Sequence, residues 1–149
     1  MDVIFDVDGT LLNIEHRVPL IRPTNGDKKD WTAFRHAAIH DVPHPEIMEI
    51  AIALHMACHR LIVCTGRMEK ERGITIASLG GAGFPLYNAP IYMRANDDVR
   101  PDHVIKLELL AKIREDGFSP ALVFDDRQQV VDMWRAQGLR VCQVAEGNF

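Results

Sequence analysis

The sequence predicts an α/β fold, a doubly wound parallel sheet of Rossmann-like type with a small cap-like insertion after its first strand. Three observations predict it. Short apolar runs recur that are continuous rather than alternating, as in strands buried on both faces. Helical patterns separate the later runs, and strands that alternate with helices pair in parallel. At 149 residues and 47% hydrophobic, the chain has the material for one core. A single domain is expected over residues 1–149, with the insertion at about 11–44.

In chain order, the first strand-like run is Asp2–Asp6. From Leu11 to His44 the strand–helix rhythm is missing: Pro19, Pro23 and Thr24-Asn-Gly26 break it, and only a short helix at Asp30–His40 is expected. Pro45–Arg60 sets Ile47, Ile50, Ala51 and Leu54 at helical spacing, with Pro45 suited to a first turn. Leu61–Thr65 is the next strand, and a further helix is ended by Gly80-Gly-Ala-Gly83. Pro90–Arg94 is a strand. Asp102–Glu115 repeats Ile105, Leu109 and Ala111–Ile113 as a helix, with Asp102 expected as N-cap after Pro101. Ala121–Phe124 and Arg140–Val144 complete the strands, around a helix at Asp126–Gln137 that Gly138 stops.

Composition excludes several classes. Net charge is −4, which argues against tight non-specific binding to nucleic acid while leaving room for a few arginines to capture one terminal phosphate. Arg17, Arg22, Lys28, Lys29 and Arg35 make the insertion locally basic, which charge alone reads as a solvated surface. No run of apolar residues is long enough to span a membrane, and the opening strand leaves no signal-peptide pattern, so a cytoplasmic location is expected. Cys58, Cys64 and Cys142 are an odd set and read as reduced core residues. No G-x-x-x-x-G-K-[ST] is present, so no P-loop kinase is encoded here.

The chemistry collects at strand ends. Val3-Ile-Phe-Asp6-Val-Asp8-Gly9-Thr10 is a buried strand running into two acids at i, i+2, which share a face because strand side chains alternate. Like charges so close are costly unless a cation sits between them, and Mg²⁺ is the natural filler because it takes one or two carboxylates and leaves positions for phosphate oxygens. Open α/β sheets place ligands at this edge. Thr65-Gly66-Arg67 delivers a hydroxyl, a flexible backbone and a guanidinium to a strand-to-helix turn, all able to hold phosphate oxygens. Lys106 lies one turn into its helix, where an amine can meet a bound anion. Asp125-Asp126 repeats the opening logic, and in a parallel sheet its strand would end beside Asp6 and Asp8. Nucleophile, neighbouring acid, phosphate anchors and a metal site together describe phosphoryl transfer.

The series Asp6-x-Asp8-Gly-Thr, Thr65-Gly, Lys106 and Asp125-Asp126 resembles the four motifs of the haloacid dehalogenase superfamily, in order and across the whole chain. The aspartate at position 8 marks the phosphatase branch. Asp125-Asp-Arg-Gln-Gln-Val-Val-Asp-Met-Trp-Arg135, Gly138, Cys142-Gln-Val-Ala145 and Gly147-Asn-Phe149 are similar to the tail of the 3′-phosphatase domain of bacteriophage polynucleotide kinase–phosphatases, with Thr65 in place of the commoner serine.

The resemblance implies a dehalogenase-type fold and a Mg²⁺-dependent phosphomonoesterase that removes 3′-phosphates from DNA or RNA ends, with a separate kinase or ligase as a possible partner. Asp6 is then the nucleophile and Asp8 the general acid and base. Thr65 and Lys106 hold phosphate oxygens. Asp6, Asp125, Asp126 and Asp8, the last through its backbone carbonyl, hold the metal. Gly9, Thr10, Arg17, Gly66 and Arg67 face the substrate, and Asp102 orients Lys106 or an arginine. About forty residues separate Thr65 from Lys106, mostly a helix and a strand, so no large cap fits there and the site stays open to a bulky substrate. The rival readings are a phosphatase for a small metabolite or mononucleotide, and a non-catalytic module that binds phosphate ends. His36, His40 and His44, and His55 and His59, are read as partly exposed histidines rather than zinc ligands. Trp134 is read as core, and Trp31 as a residue of the insertion able to touch substrate.

Overall fold

β1 (Asp2–Phe5) is buried along its whole length, and its alternating side chains feed two separate cores. Val3 and Phe5 face one cluster with Leu61, Val63 and Phe124, whereas Ile4 faces the other with Ile62, Cys64 and Val123. A central parallel strand must be apolar on both faces, which explains the unbroken Val-Ile-Phe run. A computed structural model describes residues 1–22 and 26–147. Thr24 and Asn25 of the expected turn, Pro23, and Asn148 and Phe149 of the terminal motif lie outside the described residues.

The sheet has five strands, all parallel: β4 (Arg60–Met68), β5 (Ile91–Arg94), β6 (Pro120–Asp125) and β7 (Arg140–Gln143) join β1 in the order β5-β4-β1-β6-β7. Phe5 pairs with Val63 on one side and Phe124 on the other, and its ring stacks on Phe124 with centroids 4.7 Å apart. One face is covered by α2 (Pro45–Met56), through Ile47, Met48 and Ala51, and by α3 (Arg72–Gly81), through Leu79. The other is covered by α4 (Asp102–Glu115), through Leu110 and Ile113, and α5 (Gln128–Ala136), through Val130 and Trp134. The chain leaves β1 toward β4 on one side and returns to β6 on the other. The carboxyl end of β1 is therefore the topological switch point, where such sheets hold ligands.

Between β1 and α2, the described residues 12–22 and 26–43 lie outside the five-stranded sheet. β2 (Leu12–Asn13) and β3 (Val42–Pro43) pair antiparallel as a separate two-stranded sheet, and α1 (Trp31–His36) continues into a 3₁₀ turn at Ala37–His40. Asp30 caps α1 through Oδ1, which accepts from the Ala33 N–H at 2.8 Å. Ile14, Ile21 and Phe34 make a small third core, with the Arg17 guanidinium 4.1 Å from the Phe34 ring centroid.

Several expectations are corrected. α2 stops at Met56 rather than Arg60, because Cys58 turns left-handed (φ 60°) and Arg60 is drawn into the sheet. There Arg60 pairs with Asp2 and donates to both its carboxylate oxygens at 2.7 and 2.6 Å. Ile50 is exposed rather than core, as are Cys58 and Cys142; only Cys64 is buried. β4 runs on to Met68, so Thr65-Gly66-Arg67 belongs to the strand and the turn into α3 comes later, at Glu69–Glu71. Asp102 is the first residue of α4, not its cap; Pro101 precedes it and makes no side-chain cap.

The Phe5–Phe124 stack joins the two strands that carry the acids. Phe5→Ala should lower the unfolding free energy by about 3–5 kcal/mol, as measured by urea denaturation; a loss under about 1 kcal/mol would mean that the site does not lean on this contact.

Candidate active site

Asp6 directly follows β1, and its N–H donates to the Phe124 carbonyl at 3.0 Å, so the sheet ladder itself fixes its position. Asp125 ends β6 beside it, and Asp126 follows. One carboxylate oxygen from each of Asp6, Asp125 and Asp126 falls within 4.8 Å of the others, and all three residues are buried. Lys106, 1% exposed, reaches across from α4 and donates to Asp6 Oδ1 at 2.6 Å and to Asp125 Oδ2 at 2.8 Å. The Trp134 indole N–H adds a bond to Asp125 Oδ2 at 3.0 Å, and the Arg127 N–H one to Oδ1 at 3.2 Å. Trp134 is core, as expected, and it also orients an acid.

One lysine does not balance three carboxylates. Burial, the largest cause, pushes Asp6 well above the ordinary carboxylate range; Lys106 opposes it, and Asp125 and Asp126 add to it. Asp126 is pushed up to about 7, by burial first and by Asp125 second. Among the described residues, Asp126 Oδ1 is buried without a hydrogen-bond partner. An all-oxygen set with an orphaned acceptor and excess negative charge suits a hard divalent cation such as Mg²⁺. The Asp8 carboxylate is not part of that group, so only its backbone carbonyl remains as the ligand the resemblance implies.

Asp8 faces a second charge cluster. Its Oδ1 accepts from Arg17 Nη2 at 2.7 Å and from Arg67 Nε and Nη2 at 3.0 and 2.5 Å. Both guanidiniums also bond Asp41: Arg17 through Nε (2.8 Å) and Nη2 (2.7 Å), and Arg67 through Nη2 (2.6 Å). Burial would raise Asp8, but Arg67 and Arg17 outweigh it and hold Asp8 below its ordinary value. Arg17 and Arg67 are 1% and 4% exposed, so in this structure they are paired with carboxylates instead of lying open to substrate. Asp41 was not identified from sequence. A lone aspartate in Ile-His-Asp41-Val-Pro has no local signal, and its role comes from contacts 24 and 26 residues away.

The other expected residues fall around these clusters. Gly9 has φ +85°, and a Cβ there would overlap the Asp126 carboxylate, so this turn admits only glycine. Thr10 is fully buried, and among the described residues its Oγ1 has no hydrogen-bond partner. Thr65 is buried, and its Oγ1 accepts from the Arg67 N–H at 3.2 Å. Gly66 packs against the Asp102 side chain, and its carbonyl accepts from Arg94 Nε at 2.7 Å. Asp102 bonds no lysine; it holds two arginines, Arg94 through Oδ1 and Arg127 through Oδ2, the latter at 2.9 Å. Trp31 is about half exposed against Phe34, and His36, His40 and His55 are exposed.

A parallel doubly wound sheet that presents buried acids around one lysine at its switch point defines a phosphatase of the haloacid dehalogenase type, a hydrolase of phosphate monoesters. Two solved structures share this fold at low identity: a class C acid phosphatase from Bacillus anthracis (TM-score 0.70, 15% identity, 99% of this chain and 67% of that one) and the haloacid dehalogenase-like protein SP0104 from Streptococcus pneumoniae (TM-score 0.64, 12% identity, 94% and 82%). The model of the family described as the polynucleotide kinase PNKP phosphatase domain matches residues 1–149, and the chain belongs to that family. A chain in the structure of the Pnkp1/Rnl/Hen1 RNA repair complex is similar at 27% identity with a TM-score of 0.78; the match covers 99% of this chain but 43% of that one, so the present chain spans less than half its length. Among the described residues, no helix is long and apolar enough to cross a membrane.

The crowded acids give stability a distinctive pH dependence. An acid raised by folding keeps its proton longer in the native than in the unfolded state. Its contribution is thus full below the ordinary carboxylate range and is lost as pH climbs through the folded value. In EDTA, Tm should fall as pH rises from about 5 to about 7.5, and magnesium should flatten that fall. A flat profile in EDTA would mean that these carboxylates are not in conflict.

Proposed function

We propose that this domain is a Mg²⁺-dependent polynucleotide 3′-phosphatase that works through an aspartyl-phosphate on Asp6 in nucleic-acid end repair. The single observation that carries this reading is the placement of Asp6, which lies in one buried group with Asp125 and Asp126 and takes its Lys106 bond on Oδ1. An internal ion pair on a nucleophile would speak against catalysis if it took the carboxylate away from the site. Here the pair lies inside the acid cluster, and Lys106 opposes the burial that raises Asp6.

Asp6 attacks phosphorus in line, forming the Asp6–phosphorus ester bond as the bond to the sugar oxygen breaks, and the departing alkoxide takes a proton from Asp8. In the second step Asp8 takes a proton from water, the water oxygen bonds to phosphorus, and the Asp6–phosphorus bond breaks to release inorganic phosphate. Asp6, Asp125, Asp126 and the Asp8 carbonyl would hold Mg²⁺, which when bound offsets charge on the transferring phosphoryl group. Lys106 keeps Asp6 and Asp125 in register. On this reading the Thr65 hydroxyl and the backbone of Gly9 and Gly66 receive phosphate oxygens. Asp41 holds Arg17 and Arg67 beside Asp8, so that an incoming phosphate can draw on their charge.

Family membership supports a polynucleotide end as substrate, and the similar chain in an RNA repair complex supports kinase and ligase activities as partners. The short path from β4 to α4, filled by α3 and β5, supports an open site that admits a bulky end.

Asp6→Asn should leave the fold intact and cut turnover to background, far beyond the roughly 3–4 kcal/mol typical of one lost transition-state contact. The parent protein should require magnesium and should hydrolyse a 3′-phosphorylated oligonucleotide faster than mononucleotides or sugar phosphates. Preference for the small molecules would defeat the polynucleotide reading, and an active Asp6→Asn variant would defeat the nucleophile.

A further inference from the structure

We infer that Gln143, the last residue of β7, and Gly147, on the segment that follows it, are positioning residues that clamp Asp126 for the cation; this rests on the metal reading above. Asp126 needs such a clamp. It lies in the gap between β6, which ends at Asp125, and α5, which begins at Gln128, so neither element's ladder fixes it. Among the described residues, no hydrogen bond steers its Oδ1, which is buried.

The end of β7 and the segment after it supply what the two elements do not. The Asp126 carbonyl accepts from the Gly147 N–H at 3.1 Å and from Gln143 Nε2 at 3.1 Å. Gln143 Nε2 also lies 3.2 Å from Gln128 Oε1, tying the segment to the first residue of α5. The Gly147 backbone then presses on the carboxylate itself. A Cβ at position 147 would overlap Oδ2 and would lie 2.6 Å from Cγ and 2.9 Å from the backbone carbonyl carbon. Gly9 approaches the same oxygen, and a Cβ there would also overlap Oδ2. The Asp126 carboxylate is thus crowded by two glycine backbones that leave no room for a side chain.

This matters for a small, demanding ion. Mg²⁺ accepts little departure from octahedral geometry, so a ligand displaced by a few tenths of an ångström weakens binding. A methyl group at position 147 meets a carboxylate and backbone rather than the end of a flexible chain, so relief requires moving Asp126 or the segment. Losing the Gln143 donor frees the Asp126 carbonyl on one side. A segment that merely finishes β7 would show neither sensitivity.

The experiment uses the full chain with Gly147→Ala and, as the milder change, Gln143→Leu. Magnesium chloride is titrated by calorimetry, and Tm is measured in EDTA. Magnesium affinity should fall by about 10–100-fold, the usual effect of removing support from a metal ligand, while Tm in EDTA stays at the parent value. Parent-like affinity in either variant would overturn the clamp, as would a drop in metal-free Tm with affinity intact. Should Gly147→Ala not fold, Gln143→Leu decides alone. No binding by the parent chain would overturn the metal reading, and the clamp with it.

Discussion

The structure is organised around an electrostatic conflict: three carboxylates buried at the end of two neighbouring strands with a single lysine between them. Burial alone would keep such groups neutral, and their mutual repulsion acts in the same direction. The fold holds them in place because each acid is attached to rigid structure. Asp6 and Asp125 are placed by the ladder of β1 and β6, and Asp125 is further held by Lys106 and the Trp134 indole. The apolar strands on either side are what make this possible. Phe5 and Phe124 stack one residue before the acids, so packing energy on both faces of the sheet offsets the cost of the crowded charge.

Much of this was legible in the sequence because it is local. A continuous apolar run ending in acids announces a buried strand and its functional edge, and that logic located Asp6, Asp8, Asp125 and Asp126 at one end of one sheet. Lys106 was legible as a candidate because it lies one turn into its helix, near an end that can meet an anion. What stayed hidden was long-range. Asp41 stands in a segment without periodicity, and its importance exists only once the excursion folds back to set it against Arg17 and Arg67. Arg94 looked like the last residue of a strand, yet it donates to the carbonyls of Gly66, Asp98 and Arg100 and to the carboxylate of Asp102.

Boundaries failed for a related reason. Helical spacing continues past Met56, and nothing between there and Leu61 is a glycine or proline that would mark a stop. The tertiary pairing of Arg60 with Asp2 overrides the local pattern and leaves Cys58 in the left-handed region. Likewise composition predicts a turn at Thr65-Gly66-Arg67, but β4 continues through it: Thr65 and Met68 pair with Met93 and Arg94 of β5, and the register shifts between them.

The two aspartates of the opening motif, two residues apart, occupy opposite environments. Asp6 is raised well above the ordinary range by burial among acids, while Asp8 is lowered because two guanidiniums outweigh its burial. Without ligands, this order is the reverse of what nucleophilic attack and proton donation require. A divalent ion beside Asp6 would favour its carboxylate form. A phosphate that draws charge from Arg17 and Arg67 would let Asp8 hold a proton. On the proposed function, each ligand therefore prepares one acid, and the pair is set for chemistry only when both are present. On that reading the arrangement protects a buried nucleophile from acting without its substrate, and it gives Asp41 a role: it holds the arginines in place after Asp8 has ceased to be their counterion.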